Sequence, residues 1–202
     1  MPINKCPSIK DLKKARKVFL EKEPRDLFYK VATELIELSI KEKTKVKLSE
    51  ALAVLLQTWN RAYYQYRGFD NDHFKKIDNL VEKYSNSIMN NFRNRPILLL
   101  LENERDKISK IFIDFEKVLG PVGAAKSLHL LAPRFFPIWD STIVKAYGIY
   151  MKSKGKNTDM YWSFMRISRK QCEELEGIMP KENNPLKYID EYNYCHYTKN
   201  WI

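Results

Sequence analysis

The residues best able to do chemistry lie together in the segment GPVGAAKSLHLLAPRFFPIWDSTIVKAYG, residues 120–148. Asp140 stands immediately before STIVKAY, an amphipathic pair of turns closed by Gly148, so it reads as a helix N-cap. The positive end of a helix favours the ionised form of such an acid. That suits Asp140 to stabilise a positive charge more than to take up a proton. Lys126 and His129 lie one turn apart on the stretch AAKSLHLLA and share a face. A lysine attacks only as the free amine, so Lys126 would need burial or neighbouring cations to lower its pKa. Otherwise it is an exposed residue or a phosphate contact. His129 sits among leucines, where a buried, hydrogen-bonded imidazole is the plain reading and a base contact or proton transfer the sharper one. Trp139 is either the wall of a pocket beside Asp140 or a plug in the core.

Composition narrows the partners. Lys and Arg number 36 and Asp and Glu 25 in 202 residues, a formal charge of +11. That surplus is the electrostatic footprint of a polyanion binder, although lysine-rich surfaces also serve solubility alone. It is interleaved with 12 Tyr, 10 Phe and 4 Trp, rings that stack on bases or fill a core. Cys6, Cys172 and Cys195, and His73, His129 and His196, are scattered. None has the spacing of a zinc or iron–sulfur site, so no metal and no cofactor is expected. With six Gly and no glycine-rich motif, a Rossmann or P-loop nucleotide site is not expected either. The longest apolar run, Ile97 to Leu101, is too short to span a membrane, and MPINKCPSIKDLKK has no apolar leader segment. The expectation is a cytoplasmic monomer with free thiols.

The elements that must position these residues read as helices throughout, so the expected class is all-α. Ile9, Leu12, Arg16 and Phe19 line a first helix capped by Ser8 and ended by Pro24. Phe28, Val31, Ala32, Leu35 and Leu38 mark a second. Ser49 reads as the cap of a third, with a stripe from Leu52 through Leu55, Leu56, Trp59 and Tyr63 to Tyr66, stopped by Gly68. On this register Trp59 and Tyr63 enter the core, and Gln57, Asn60, Arg61 and Tyr64 share the opposite face. Phe74, Ile77, Val81, Tyr84 and Ile88 give a fourth helix, and Ile108 to Leu119 a fifth. Both Gly120 and Gly123 are expected to break the fifth, with a short helix from Ala124 to Leu131 after them. Further helices fall around Trp162–Ile167 and from Pro185 to Tyr197, the latter opened by Asn184. No stretch alternates with period two. The expected organisation is one unit over 1–202. Residues 49–148 form a helical barrel, and 1–48 with 149–202 form a second lobe.

The order of parts over 105–148 resembles the helix-hairpin-helix DNA glycosylases of the endonuclease III superfamily. The parts are the helix Arg105–Leu119, the hairpin LGPVG, the helix AAKSLHLLA, the extended RFFPIW, and an acid, Asp140. The resemblance implies that hairpin amides around Gly120, Val122 and Gly123 take a DNA phosphate. It implies that a modified base is flipped out of double-stranded DNA into a pocket. Asp140 would stabilise the oxocarbenium-like sugar as the N-glycosidic bond breaks. Members with lyase activity add a lysine that attacks C1′ and forms a Schiff base, and Lys126 is the residue on the equivalent helix. A polar residue near the third helix fills the gap left by the flipped base; Gln57 or Asn60, with Arg61 and Tyr64 nearby, would take that place. This chain differs from the family pattern in a hairpin one residue longer, which turns a helical side chain by ~100°, and in lacking the cluster cysteines. Two other classes stay open: a helical DNA-binding module without catalysis, and a helical interaction protein whose charge is incidental.

Overall fold

The computed structural model describes residues 6–180 and 183–202; the first five residues, which open the stretch read as lacking a leader, lie outside them. The chain is all-helical, with no strand among the described residues. Nine α-helices follow in order among the described residues: α1 Ile9–Lys22, α2 Asp26–Ile40, α3 Leu48–Trp59, α4 Arg61–Tyr64, α5 Asn71–Ile88, α6 Arg105–Leu131, α7 Ser141–Ala146, α8 Thr158–Leu175 and α9 Pro185–Asn193. Ser8 caps α1 by accepting from Asp11 N, Asp70 caps α5 through His73 N, and Asn184 caps α9 through Leu186 N. Each cap satisfies an amide that the first turn leaves without a partner. No helix among the described residues is long and apolar enough to cross a membrane.

Two helices depart from the periodic reading. In α2, Phe28 and Val31 are exposed and the buried apolar residues are Ala32 and Ile36. Ser49 does not cap α3. It is buried in the first turn and donates to Asp78 Oδ1 at 2.5 Å, and the cap position belongs to Lys47. The third stripe also stops early. Asn60 leaves the helical conformation (φ −111°, ψ 31°), so α3 ends at Trp59 and α4 sets off from a new origin. One apolar stripe could not predict this, because the break is held from outside the helix. The Asn60 side chain is buried and donates to the carbonyl of Leu119 on α6.

Helix α6 is the axis of the fold. It is bent at Gly120 (φ 72°, ψ 169°), a conformation open essentially only to glycine. Pro121 follows as the first residue of the second arm, where a missing N–H does no harm. The break is therefore one residue long, and Gly123 already lies in the second arm. Both glycines meet neighbouring protein: a Cβ on Gly120 would stand 3.0 Å from the Tyr63 ring, and one on Gly123 would stand 2.7 Å from Asn60 Nδ2. Their smallness is first a packing requirement between α6 and the α3–α4 junction. Tyr63 adds to that junction by donating to the carbonyl of Val118.

The second arm of α6 is buried almost all round; from 123 to 132 every residue is buried except Lys126. One apolar core runs from Leu12 through α3, α5 and α6 to Ile189 on α9. α1 packs against α9 and α2 against α3, so the core crosses the 48/49 boundary. A smaller cluster of Ala15, Phe19 and Cys195 draws in Tyr192, Tyr194, Trp201 and Ile202, which docks the C-terminal rings on α1. Gly120→Ala is expected to lower stability by about 1–3 kcal/mol, read as a reduced urea midpoint with an unchanged m-value.

Candidate active site

Two cavities adjoin Lys126, the one residue of 123–132 that is not buried. The inner one has a volume of about 290 Å³ and is walled by Phe19, Trp59 and Trp139, with Glu23, Lys126, Asp140 and Asp190 among its polar residues. The outer one, about 430 Å³, lies over the bend and is lined by Asn60, Tyr63, Gly120, Val122, Ser141 and Thr142. Trp59, Lys126 and Asp140 line both. Helix, bend and extended segment thus bring Lys126 and Asp140 to a common opening.

Lys126 projects from the buried arm and donates to the main-chain carbonyl of Trp59. That carbonyl is available because α3 ends there, and the last carbonyls of a helix have no partner within it. Burial lowers the Lys126 pKa to about 8; the negative charges of Asp140 and Asp190 resist the shift and Arg25 adds to it. Among the described residues Lys126 makes no ion pair within 4.0 Å, and its amine rests on one neutral acceptor.

Asp140 caps α7: Oδ1 accepts from Ile143 N at 2.8 Å and Oδ2 from the Thr198 hydroxyl at 3.4 Å. It stays partly exposed, which leaves the carboxylate open to the cavities. The segment before it is fixed by Trp139, which is fully buried among Phe112, Tyr161 and Phe164. Its indole N–H donates to the carbonyl of Pro121 at 3.0 Å. Trp139 is thus both core plug and cavity wall, and it ties the acid's segment to the bend.

His129 is a support and not an open side chain. It is fully buried, with Nδ1 2.7 Å from the carbonyl of Phe136 and Nε2 3.0 Å from the Tyr29 hydroxyl. A carbonyl only accepts, so Nδ1 carries the proton and Nε2 accepts from Tyr29. Burial pushes its pKa down to about 4, which keeps the ring neutral. The Tyr29 ring in turn stacks on Trp59 at 5.3 Å, and Trp59 Nε1 donates to the carbonyl of Arg25. This chain of contacts sets the carbonyl that holds Lys126.

The four residues expected to share one face of the third helix separate. Asn60 is buried and clamps the bend while lining the outer cavity. Tyr64 packs on Phe69 and bonds His73 Nε2 at 2.9 Å, away from both cavities. Gln57 and Arg61 are exposed and line neither. Conversely, Trp59 and Tyr63, assigned to the core by periodicity, face the cavities. The break at Asn60 takes Arg61, Tyr63 and Tyr64 off the register of α3. Cations gather beside Tyr63: Arg67 stands 4.5 Å and Lys154 5.8 Å from the ring centroid. Lys154 belongs to the KSKGKN loop, which Asn157 pins by bonding Glu116 and the carbonyls of Lys152 and Ser153.

The periodic reading missed the far wall of the inner cavity. Glu23 is held by Arg25, whose guanidinium pulls its pKa down to about 2, and it also accepts from the Tyr194 hydroxyl. Asp190 lies on α9 above Lys187, and burial raises its pKa to about 7. Lys187, Asp190 and Glu191 stand three and four residues apart on a helix with an apolar face, a spacing that would have flagged a buried ionic cluster. No cluster of His, Cys, Asp and Glu able to hold a metal occurs among the described residues. Comparison with protein-family models, curated proteins and solved structures returned no match to this chain. The site therefore rests on its own geometry.

The Lys126 amine is expected to titrate near 8 in a ¹³C-methylated sample. Asp140→Asn should lower that value further, since it removes a negative charge that favours the ammonium. The ¹³C-methyl resonance followed against pH reads both.

Proposed function

We propose that the protein is a DNA glycosylase with lyase activity, acting on a modified base flipped out of double-stranded DNA. The observation that carries this reading is the joint opening of Lys126 and Asp140 onto two connected recesses. The inner recess takes the extruded base between aromatic walls. The outer one takes the sugar and backbone beside the bend. Arg67 and Lys154, exposed beside Tyr63 at the outer recess, and the excess of 36 basic over 25 acidic residues supply attraction for the phosphates.

The chemistry follows from the two side chains. The neutral Lys126 amine attacks C1′ of the sugar, the N-glycosidic bond breaks, and the base departs with its electron pair and picks up a proton. Positive charge grows on the sugar ring as the bond stretches, and the Asp140 carboxylate stabilises it. Loss of a proton from nitrogen and opening of the ring at C1′–O4′ leave a Schiff base. Removal of a C2′ proton then expels the 3′ phosphate and cuts the strand. A lysine at its ordinary pKa of about 10.4 would be almost wholly protonated at neutral pH. Burial against a neutral carbonyl supplies the missing free amine.

The extra hairpin residue relative to the glycosylase pattern is accommodated. Pro121 and Val122 join the second arm directly, so Lys126 still reaches the opening. In this reading the first-turn amides of Val122 and Gly123 meet a phosphate at the outer recess.

Borohydride should trap a covalent complex between the protein and a duplex carrying an abasic site. Lys126→Ala should abolish trapping. Asp140→Asn should slow excision from a lesion duplex by about 100-fold or more, as removal of one electrostatic stabiliser does. The trapping rate should rise with pH and level off above about 8, because the depressed Lys126 pKa governs the fraction of free amine. Salt-sensitive binding without trapping or excision on any duplex would instead mark a DNA-binding module.

A further inference from the structure

Most polar groups on the inner cavity wall already have partners. Glu23 is saturated by Arg25 and Tyr194. Asp140 is bonded at both oxygens. Lys126 donates to the Trp59 carbonyl, and the indole N–H groups of Trp59 and Trp139 are spent on main-chain carbonyls. Asp190 differs. Its side chain is more than nine-tenths buried, lines the cavity, and makes no hydrogen bond to the described residues. The nearest cation, Lys187 Nζ, stands 3.8 Å from Oδ2, beyond hydrogen-bond distance. That ammonium is shared with Asp26 at 3.7 Å and Glu191 at 3.1 Å.

A carboxyl that opens only onto a recess gains from a ligand that enters the recess and donates to it. We propose that Asp190 reads the extruded base in the inner cavity and selects a base edge that presents N–H donors. The inference rests on the glycosylase reading and deepens it by naming the class of base. A carboxylate accepts N–H bonds and donates none when ionised, so it takes two side by side from a guanine-type edge, one from a ring imide, and none from an edge bearing only acceptors or an N-methyl group. Burial raises the Asp190 pKa, and N–H donors would bring it back down. Asp190 is thus a specificity residue, and the bond-breaking groups remain Lys126 and Asp140.

The test compares single-turnover excision from duplexes carrying hypoxanthine, xanthine, uracil or an oxidised guanine with duplexes carrying N-methylated counterparts that lack the ring donor. Borohydride trapping on an abasic duplex, which has no base to read, runs in parallel. The expected result is excision of at least one N–H-bearing base and a loss of about 10- to 100-fold for its methylated counterpart. Asp190→Ala should show a similar loss on the N–H-bearing base, with trapping on the abasic duplex retained above pH 8, where the Lys126 amine is already largely free. Asp190→Asn, which keeps one acceptor oxygen in the same shape, should fall between. The inference is overturned if Asp190→Ala keeps the wild-type preference, or if it loses trapping and excision together, since Asp190 would then serve the fold or Lys126. It is also overturned if the wild-type protein traps abasic DNA but excises none of the N–H-bearing bases, an outcome that leaves the role of Lys126 standing. Failure of the wild-type protein to trap abasic DNA and to excise any base would remove the lyase reading and this inference with it.

Discussion

A primary amine held in low dielectric by one neutral hydrogen bond is the interaction on which the site depends. The bond joins Lys126 Nζ to the carbonyl of Trp59. Two conditions have to hold for it to exist. Helix α3 must end at Trp59, so that its carbonyl is free, and the second arm of α6 must be buried everywhere else, so that the lysine has no route to bulk water except the cavities. Asn60 links the two conditions, because the residue that breaks α3 also bonds the carbonyl of Leu119 just before the bend in α6. A charge partner in place of the carbonyl would raise the lysine's pKa and leave it protonated.

Around that bond the fold arranges supports of decreasing strictness. Gly120 admits the bend, and the rings of Tyr63 and Trp139 close on either side of it. His129, neutral and bonded at both nitrogens, fixes Tyr29, and Tyr29 stacks on Trp59, whose main-chain carbonyl holds the amine. The acid arrives by a separate route, as the cap of a six-residue helix whose approach is plugged into the core by Trp139. The termini then complete the recess: Phe19 and Glu23 from α1, Asp190 from α9 and Tyr194 from the turn beyond it. Buried carboxyls in that wall are tolerated because Arg25 and Lys187 stand among them.

The elements most legible in the sequence were those with local determinants. The Ser8 cap, the stripe of α5 and the Asn184–Pro185 start each depend on residues within one or two turns. The α2 face and the end of α3 were misread for a common reason: partners from elsewhere decided them. Apolar residues at Phe28 and Val31 face outward, whereas Asp26 is drawn inward by Lys187. Asn60, a polar residue assigned to an open face, is buried because a carbonyl on α6 waits for it.

The linear chain by itself determined the helical class, the basic surplus, and the close succession of glycine, lysine, tryptophan and acid between 120 and 140, since composition, period and order along the backbone are local properties. Only the tertiary structure decided which of these side chains meet. The depressed pKa of Lys126, the neutrality of His129 and the empty acceptor on Asp190 all arise from burial and from partners distant in sequence. Solvent exclusion belongs to the packed whole, and no window of residues carries it.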